Sequence, residues 1–446
     1  MELFYENSFY KLYKGSMLDM LDYIEPNSIG SIVTDPPYEL NFMGKGWDNA
    51  GVSFNADTWE KCYEVLKPGG YLLAFGGSRT YHRIACAIED AGFEIRDTIM
   101  WLYGSGFPKS MSLGKVCESK MINGSANVRD IKRLDGTKTE YESSIGKFET
   151  EQGYRDENYT RTKTEVNYQT ELGKKWDGWG TALKPAFEPV IVARKPFKGT
   201  LVDNVIANGV GGINIDECRV EFGNEIDSRV GTDAVNTSHC GFWSKDKGNG
   251  KIQMYKEDGR FPANVILTYD QITFDEVCGG FPTTKGTKVK EKGTYGHCFN
   301  EGERDSKPMA DGYDDEGSAC RYFYCAKASK KDRNSGLDEY EDKIGGGMSG
   351  TQDQSLLTGS GNIRNNITKN THPTVKPTTL MQYLVRLVTP KGETILDPFN
   401  GSGSTGKAIM YENNERNANY KYIGIDLSEE YLNISRGRIN YAIFDN

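Results

Sequence analysis

Both ends of this chain alternate short apolar segments with segments of helical spacing, and this alternation limits the possible folds more than any other feature. Near the N-terminus, residues 29–33 form a β-branched run that ends at two prolines, which cannot continue a central strand. Near the C-terminus, residues 393–399 form a similar run that leads through a glycine-rich turn into a helical segment. Because parallel strands need long crossover connections, both ends predict an α/β fold with a mostly parallel sheet.

The alternation fades in the middle of the chain. Residues 105–180 are rich in Lys, Glu, Thr, Tyr and Asn and poor in aliphatic residues, which indicates an insertion or a mobile loop. Residues 345–361 are rich in Gly and Ser, as flexible linkers are. The predicted divisions are 1–110 and 371–446 as two halves of one α/β domain, 111–180 as a polar insertion, 181–198 as a returning strand of the sheet, and 199–370 as a variable region.

Composition and charge exclude several classes of protein. No run in the 446 residues approaches the roughly 18 apolar residues of a membrane span, and the first residues lack the apolar core of a signal peptide. The nine cysteines lack the spacing of a disulfide framework, so we expect a cytoplasmic protein with no membrane partner. The net charge is −9, yet residues 105–198 carry 17 Lys/Arg against 13 Asp/Glu. A basic stretch of this kind permits contacts to nucleic-acid phosphates without predicting them.

The glycine-rich turn near the C-terminus has the composition of a ligand-binding loop. Its residues are Asp397, Pro398, Phe399, Asn400, Gly401, Ser402 and Gly403. Glycines between a strand and a helix let the backbone approach a ligand, and Asp426 ends the next predicted strand, where acidic residues bind ribose hydroxyls. The turn lacks the Gly-x-Gly-x-x-Gly fingerprint, and Ala408 stands where a phosphate loop has Ser or Thr. An unliganded turn is one interpretation, and the polar residues favour a ligand with a positively charged end.

A second motif, Asp35-Pro36-Pro37-Tyr38, follows a predicted strand at the edge of the sheet where α/β enzymes place their sites. Prolines fix φ and remove amide donors, so a carboxylate and backbone carbonyls remain as acceptors for an N–H₂ group. Tyr38 offers an aromatic face to a planar ring. The alternative is a turn that ends the strand, with Tyr38 in the core. With the glycine-rich turn, the motif favours a site for a planar amine.

Together the two motifs resemble those of the β class of S-adenosylmethionine-dependent DNA amino-methyltransferases. Asp35-Pro36-Pro37-Tyr38 resembles their catalytic motif, and residues 397–403 resemble their cofactor motif. His372-Pro373-Thr374-Val375-Lys376-Pro377 also resembles a cofactor motif of that class. The resemblance implies a Rossmann-like sheet, circularly permuted so that the catalytic motif precedes the cofactor motif. It also implies that residues 394–399 lie beside residues 30–34, and that residues 199–370 are an inserted target-recognition region.

The resemblance implies a role for each motif residue. The catalytic residues are Asp35, Pro36, Pro37 and Tyr38. The residues that bind S-adenosylmethionine are Lys376, Asp397, Pro398, Phe399, Asn400, Gly401, Ser402, Gly403 and Asp426. No metal takes part, and the macromolecular substrate is double-stranded DNA. A homodimer and a cognate restriction nuclease are compatible partners, and the sequence leaves both open.

The activity implied is transfer of a methyl group to an exocyclic amine of a base, and the chemistry fits the motif. Such an amine is a weak nucleophile because its lone pair is delocalised into the ring. Hydrogen bonds to Asp35 and to the Pro36 carbonyl would draw the lone pair toward the methyl group and stabilise the charge that develops on nitrogen. The base must leave the duplex to be reached, and it would then stack on Tyr38. Asp in the first motif position resembles the N6-adenine group, whereas N4-cytosine enzymes more often have Ser.

Other functions fit the sequence less well. An oxidoreductase lacks the complete dinucleotide fingerprint, and a non-enzymatic DNA-binding protein would need a recognisable module. RNA and protein-glutamine methyltransferases usually carry Asn in place of Asp35. A zinc site is an alternative to buried thiols for five scattered residues: Cys278, His297, Cys298, Cys320 and Cys325. Trp176, Trp179, Lys184 and the Lys/Arg residues of 109–163 are candidates for DNA contact, with packing or solvation as the simpler interpretation.

Overall fold

The structure is a computed structural model of the 446-residue chain. The residues that the structure describes lie in seven longer stretches and five short strands. These are residues 2–40, 51–103, 110–126, 168–220, 261–268, 328–344 and 367–444, with 138–141, 161–164, 283–284, 317–318 and 323–324. The five candidate zinc ligands and the Gly/Ser-rich residues 345–361 lie outside the described residues. Among the residues that are described, no group of His, Cys, Asp and Glu could hold a metal ion.

The helices and strands of the described residues are numbered here in chain order. The helices are α1 Met17–Met20, α2 Ala56–Val65, α3 Tyr81–Asp90, α4 Leu113–Asn123, α5 Glu171–Lys175, α6 Leu201–Asn208, α7 Lys330–Asn334, α8 Thr378–Val388, α9 Ser404–Arg416 and α10 Glu429–Phe444. The longer strands are β1 Glu2–Glu6, β2 Tyr10–Lys14, β3 Ile29–Thr34, β4 Leu66–Phe75, β5 Glu94–Tyr103, β6 Lys138–Tyr141, β7 Arg161–Thr164, β8 Phe187–Arg194 and β9 Val265–Thr268. The remaining strands are β10 Thr283–Thr284, β11 Gly317–Ser318, β12 Phe323–Tyr324, β13 Lys343–Ile344, β14 Ile367–Thr368, β15 Thr394–Asp397 and β16 Lys421–Asp426. None of these helices is both long enough and apolar enough to cross a membrane.

Ten of these strands form one sheet, in the order β1-β2-β16-β15-β3-β4-β8-β5-β9-β12. The C-terminal strand β15 lies parallel between β16 and the N-terminal strand β3, with Ile395 opposite Ser31 and Leu396 opposite Ile32. This register confirms the expectation that the two ends of the chain form adjacent parts of one α/β sheet. The catalytic motif therefore precedes the cofactor motif in the chain but lies beside it in the fold.

The sheet has a core on each face because its central strands are buried on both sides. In β3, Ile32 packs on one face with Trp59 of α2, and Val33 packs on the other with Leu384 of α8. Leu72 and Leu73 of β4 divide between the same two faces. Continuous apolar runs of this kind are typical of parallel strands covered by helices on both faces.

The returning strand β8 runs antiparallel to both of its neighbours, β4 and β5. Its amino end therefore lies at the same edge of the sheet as the carboxyl ends of the parallel strands. Strand β4 begins at Leu66 and runs through Lys67-Pro68-Gly69-Gly70, although Pro and Gly are typical of a turn. Gly69 N donates to Lys195 O (2.9 Å) and Lys195 N donates to Gly70 O (2.9 Å), so pairing with the segment after β8 extends the strand through the glycines.

Parts of the predicted variable region 199–370 belong to this sheet domain. Strand β9 pairs parallel with β5, and β12 pairs parallel with β9. Asn214, after α6, donates its backbone N–H to Leu387 O of α8 (2.9 Å). Beyond α7, Leu337 is fully buried, and Tyr340 Oη donates to Asn433 O of α10 (2.7 Å). The described ends of the region thus contribute to the fold of the sheet domain.

The chain divides into two compact units, residues 1–104 with 187–446, and residues 105–186. The second unit corresponds to most of the predicted polar insertion, and its described part includes α4, α5 and the β6–β7 pair. The buried carboxylate of Glu118 accepts hydrogen bonds from Gln169 N (2.5 Å) and from the hydroxyl of Thr170. Polar contacts of this kind hold the unit together where aliphatic residues are scarce.

Candidate active site

The catalytic and cofactor motifs are joined by hydrogen bonds across the β3–β15 pair. Thr34, the last residue of β3, donates from Oγ1 to Asp397 Oδ1 (2.6 Å) at the end of β15. Thr405 Oγ1, at the start of α9, donates to Asp397 Oδ2 (2.7 Å). Asp35 follows Thr34 directly, so these bonds set the catalytic motif beside the turn that begins at Asp397. Burial raises the pKa of Asp397 to about 6, although both threonine hydroxyls favour its charged form.

Asp35 lies in a buried cluster of charged and aromatic side chains. Its Oδ2 accepts from Lys376 Nζ at 2.6 Å, and its Oδ1 accepts from Tyr38 Oη at 2.9 Å. The same Tyr38 hydroxyl lies 3.0 Å from Glu188 Oε2, and Lys376 Nζ lies 3.4 Å from that oxygen. Lys376 Nζ also lies over the rings of Tyr38 and Phe75, 5.4 and 4.8 Å from their centres. Lys376 therefore contacts the catalytic motif itself.

Burial and neighbouring charges shift the pKa values of Asp35 and Lys376. Burial raises the pKa of Asp35; Lys376 opposes this shift, whereas the nearby charge of Glu188 adds to it. Burial alone would lower the pKa of Lys376, but Asp35 and Glu188 outweigh it and raise that pKa. The lysine thus stays charged between the two carboxyl groups.

Glu188 is a site residue that the sequence analysis did not single out. It lies opposite Trp101, directly before the buried part of β8, and its Oε1 accepts from Tyr103 Oη at 3.2 Å. The signal in the sequence was a carboxylate directly before the apolar run of residues 189–193. That signal points to the site only if β8 is antiparallel, because only then does its amino end reach the edge where Asp35 lies.

The glycine-rich turn is held in place by the backbone and by buried polar side chains. Gly401 and Gly403 have φ of 50° and 73°, in the left-handed region that glycine adopts without strain. Asn400 Nδ2 donates to Gly401 O (3.0 Å), and its Oδ1 accepts from Tyr422 Oη (2.8 Å). Phe399 N donates to Asp397 Oδ1 (3.2 Å), and Pro398 lies between them in the turn. Helix α9 begins directly after Gly403.

Asp426 ends β16 and faces this turn. Its Oδ2 accepts from Gly401 N (2.7 Å) and its Oδ1 accepts from Ser428 N (2.8 Å). Burial raises the pKa of Asp426 to about 6, and the two backbone donors limit the rise. Each carboxylate oxygen has a second lone pair, so an ionised Asp426 can also accept hydrogen bonds from a pair of ligand hydroxyls.

A buried arginine donates hydrogen bonds to the same turn. Arg438 of α10 is fully buried, and its Nη1 donates to Ser402 O (2.7 Å) and Ser402 Oγ (3.0 Å). Its Nη2 reaches Asp332 O (3.3 Å), and Lys407 Nζ donates to Asp332 Oδ1 (2.8 Å). Burial lowers the pKa of Arg438 to about 10. The sequence analysis missed these residues because nothing local marks an arginine in α10 as a partner of the turn.

This site is typical of a class of protein: an α/β fold in which a glycine-rich turn and an acidic strand end lie beside a carboxylate at the carboxyl edge of the sheet. A comparison with protein families then places the chain. Residues 29–437 match the family model N6_N4_Mtase, described as DNA methylase, and the chain belongs to this DNA methylase family. The matched region contains all the predicted site residues, from Asp35 to Asp426.

Two curated relatives are type II methyltransferases. The chain is 22% identical to M.HindIII of Haemophilus influenzae over 339 residues, which cover 65% of this chain and 91% of that one. It is 31% identical to M2.LlaDCHI of Lactococcus lactis subsp. cremoris over 134 residues, which cover 27% of this chain and 45% of the relative. Among solved structures, PvuII DNA methyltransferase (cytosine-N4-specific) is 13% identical, with a TM-score of 0.39 and coverage of 98% of this chain and 88% of that one.

Family membership confirms the predicted α/β methyltransferase fold and its cofactor, S-adenosylmethionine. The residues present fit this cofactor. Asp426 supplies acceptors of the kind that ribose hydroxyls require, and the turn's left-handed glycines let backbone approach a ligand. The carboxylates of Asp35, Glu188 and Asp397 outnumber the one nearby ammonium, that of Lys376, and this balance suits a cationic sulfonium.

Proposed function

We propose that this protein methylates the exocyclic N6 of adenine in double-stranded DNA at specific sites, with S-adenosylmethionine as the methyl donor. One observation carries the proposal: Asp35 follows β3 directly beside the cofactor turn, linked to it through the hydrogen bond between Thr34 and Asp397 (2.6 Å). A carboxylate next to a methyl donor is what an amine nucleophile requires.

The residues of this chain would act by accepting hydrogen bonds and by holding the base. When bound, S-adenosylmethionine supplies an electrophilic methyl group. Asp35 accepts from the target amine and stabilises the positive charge that develops on its nitrogen. The ring of Tyr38 supports the flipped base, and its hydroxyl, which donates to Asp35 and lies 3.0 Å from Glu188, fixes the ring's orientation. The cofactor would be held by residues 397–403 and by Asp426.

Recognition of the DNA sequence is assigned to residues 199–370, with help from residues 105–180. The basic excess of residues 105–198 supports phosphate contacts there. Trp176 and Trp179 pack edge to face with ring centres 5.2 Å apart, and Trp179 is 60% exposed. An exposed indole in a stretch with an excess of Lys and Arg is suited to stacking on a base or to contacts in a groove.

The base is identified by incubating the protein with unmodified DNA and tritiated S-adenosylmethionine, and then separating the nucleosides. We expect the label in N6-methyladenine, because Asp occupies the first position of the catalytic motif. Long-read mapping of DNA from cells that express the protein would then report the recognition sequence. Label in N4-methylcytosine would show that the target base is cytosine, and absence of label from the DNA would contradict the proposal.

Affinity for the cofactor is expected to depend on Asp426 and on pH. Above pH 6 the carboxylate is ionised and accepts ribose hydroxyls, whereas protonation below its pKa of about 6 removes an acceptor, so affinity falls as the pH falls. Asp426→Ala should weaken binding about 10- to 100-fold at neutral pH, as loss of hydrogen bonds to a charged group does. Calorimetric titration with S-adenosylmethionine measures both effects.

The matched control is Asp203→Ala. Asp203 also accepts two hydrogen bonds, from Thr200 N (3.0 Å) and Thr200 Oγ1 (2.6 Å), but it lies in the first turn of α6. This variant should bind the cofactor with unchanged affinity. Unchanged affinity in Asp426→Ala would instead remove Asp426 from the cofactor site.

A further inference from the structure

Glu188 is the second carboxylate in the cluster around Asp35. Its Oε2 lies 3.0 Å from the Tyr38 hydroxyl and 3.4 Å from Lys376 Nζ, and its Oε1 accepts from Tyr103. Both groups that bind Asp35 thus already lie within reach of Glu188. The side chain of Lys376 is 7% exposed and that of Glu188 is 22% exposed, so solvent screens the pair only weakly.

Each oxygen of Asp35 already accepts one hydrogen bond in this arrangement, so only the second lone pairs remain for a substrate amine. One oxygen accepts from the ammonium of Lys376 at 2.6 Å, and the other accepts from the hydroxyl of Tyr38. An ammonium at that distance also reduces the electrostatic benefit that the carboxylate can offer to a charge developing on the amine. A stronger interaction with the amine requires Lys376 to move away from Asp35 while remaining paired, because a buried unpaired ammonium is costly.

We propose that Glu188 is a positioning residue that receives Lys376 and the Tyr38 hydroxyl when the target amine binds Asp35. Lys376 Nζ lies 3.4 Å from Glu188 Oε2, and a charged N–H···O bond is about 2.8 Å long. A movement of Nζ by less than about 1 Å would therefore form this bond. The shift keeps the lysine paired, lengthens its bond to Asp35 Oδ2 so that this oxygen can accept more strongly from the amine, and leaves both carboxyl groups in the site. This inference rests on the proposed function of the site.

A purely structural role for Glu188 would have a different signature. The groups that face Asp35 are Lys376, Tyr38, Glu188 and, across the β3–β15 pair, Asp397. Among them Glu188 raises the pKa of Asp35 through its charge. Loss of that charge should move the acid limb of the pH–rate profile to lower pH, since Asp35 would then ionise more easily. A loss of packing alone would reduce the rate without moving this limb.

The test is single-turnover transfer of tritiated methyl from S-adenosylmethionine to unmodified DNA, measured over a series of pH values. Glu188→Gln retains the size and one acceptor but removes the charge that attracts Lys376. We expect the rate to fall about 10- to 100-fold, with cofactor affinity unchanged and the acid limb at lower pH. Glu188→Asp keeps the charge, so we expect partial recovery of the rate and an acid limb close to that of the wild type.

Glu94→Gln is the matched control. Glu94 lies at the other end of the β5–β8 pair, where it binds Arg194 at 2.7 Å and touches none of the site residues. The Glu94→Gln variant should have the methyl-transfer rate and the pH profile of the wild type. A Glu188→Gln variant with the wild-type rate, or with a reduced rate and an unmoved acid limb, overturns the role of Glu188. Failure of the wild-type protein itself to methylate DNA would instead contradict the proposed function.

Discussion

Asp35→Ala is expected to slow methyl transfer to DNA about 10²- to 10³-fold, the loss seen when one group that stabilises charge in a transition state is removed. The carboxylate is 19% exposed beside the cofactor turn, so its interaction with a developing charge is only partly screened by solvent. Binding of S-adenosylmethionine should change little, because that site lies mainly in residues 397–426. Single-turnover transfer of tritiated methyl measures the rate, and calorimetry measures the affinity.

The variant should still fold, because Lys376 retains a carboxylate partner in Glu188 at 3.4 Å. Asp22→Ala is a suitable control, since Asp22 forms an exposed ion pair with Lys61 (2.5 Å) outside the site. It should transfer methyl at the wild-type rate. An Asp35→Ala protein that methylates DNA as fast as the wild type would end the amino-methyltransferase interpretation.

Gly403→Ala is expected to destabilise the protein by about 2–5 kcal/mol, the sum of left-handed backbone strain and overpacking. Gly403 has φ of 73°, and a Cβ there would collide with Ser435 Oγ and lie 2.9 Å from Ser435 Cβ and 3.0 Å from its Cα. Because Ser435 belongs to α10, relief requires the turn or the helix to move. Denaturant unfolding measures the loss of stability, and calorimetry should show weakened cofactor binding as well.

Gly392→Ala separates the two contributions. Gly392 has a similar φ of 86°, but a Cβ there would meet nothing within 4 Å. This variant should lose only the strain of about 1–2 kcal/mol and bind the cofactor normally. Equal losses in the two variants would show that the contact between Gly403 and α10 contributes nothing to stability.

Most of the sheet could be predicted because its signals are local. Apolar periodicity, Gly and Pro encode the strands at residues 29–33 and 393–399 and the helix that follows the glycine-rich turn. Secondary structure differs from what these local signals favour where tertiary contacts override them. Strand β4, for example, extends through Pro68, Gly69 and Gly70 because the segment after β8 pairs with the two glycines.

Some features of the candidate site could likewise be predicted from local sequence, whereas others depend on tertiary contacts. The sequence by itself determined which polar residues end the central strands, namely Asp35, Asp397 and Asp426, because strand ends are local features. It also determined, through the resemblance of its motifs, that the two halves share one sheet. Only the tertiary structure decided the partner of Lys376, which was expected with the cofactor turn and is paired with Asp35 at 2.6 Å.

The tertiary structure also decided the direction of β8, and with it the presence of Glu188 in the site. The same holds for the support of Ser402 by Arg438 (2.7 Å). The physical reason is that a short hydrogen bond or ion pair depends on side chains that approach through the packing of whole elements. Residues 35 and 376 are far apart in the chain, as are residues 38 and 188, so local sequence propensities cannot predict these contacts.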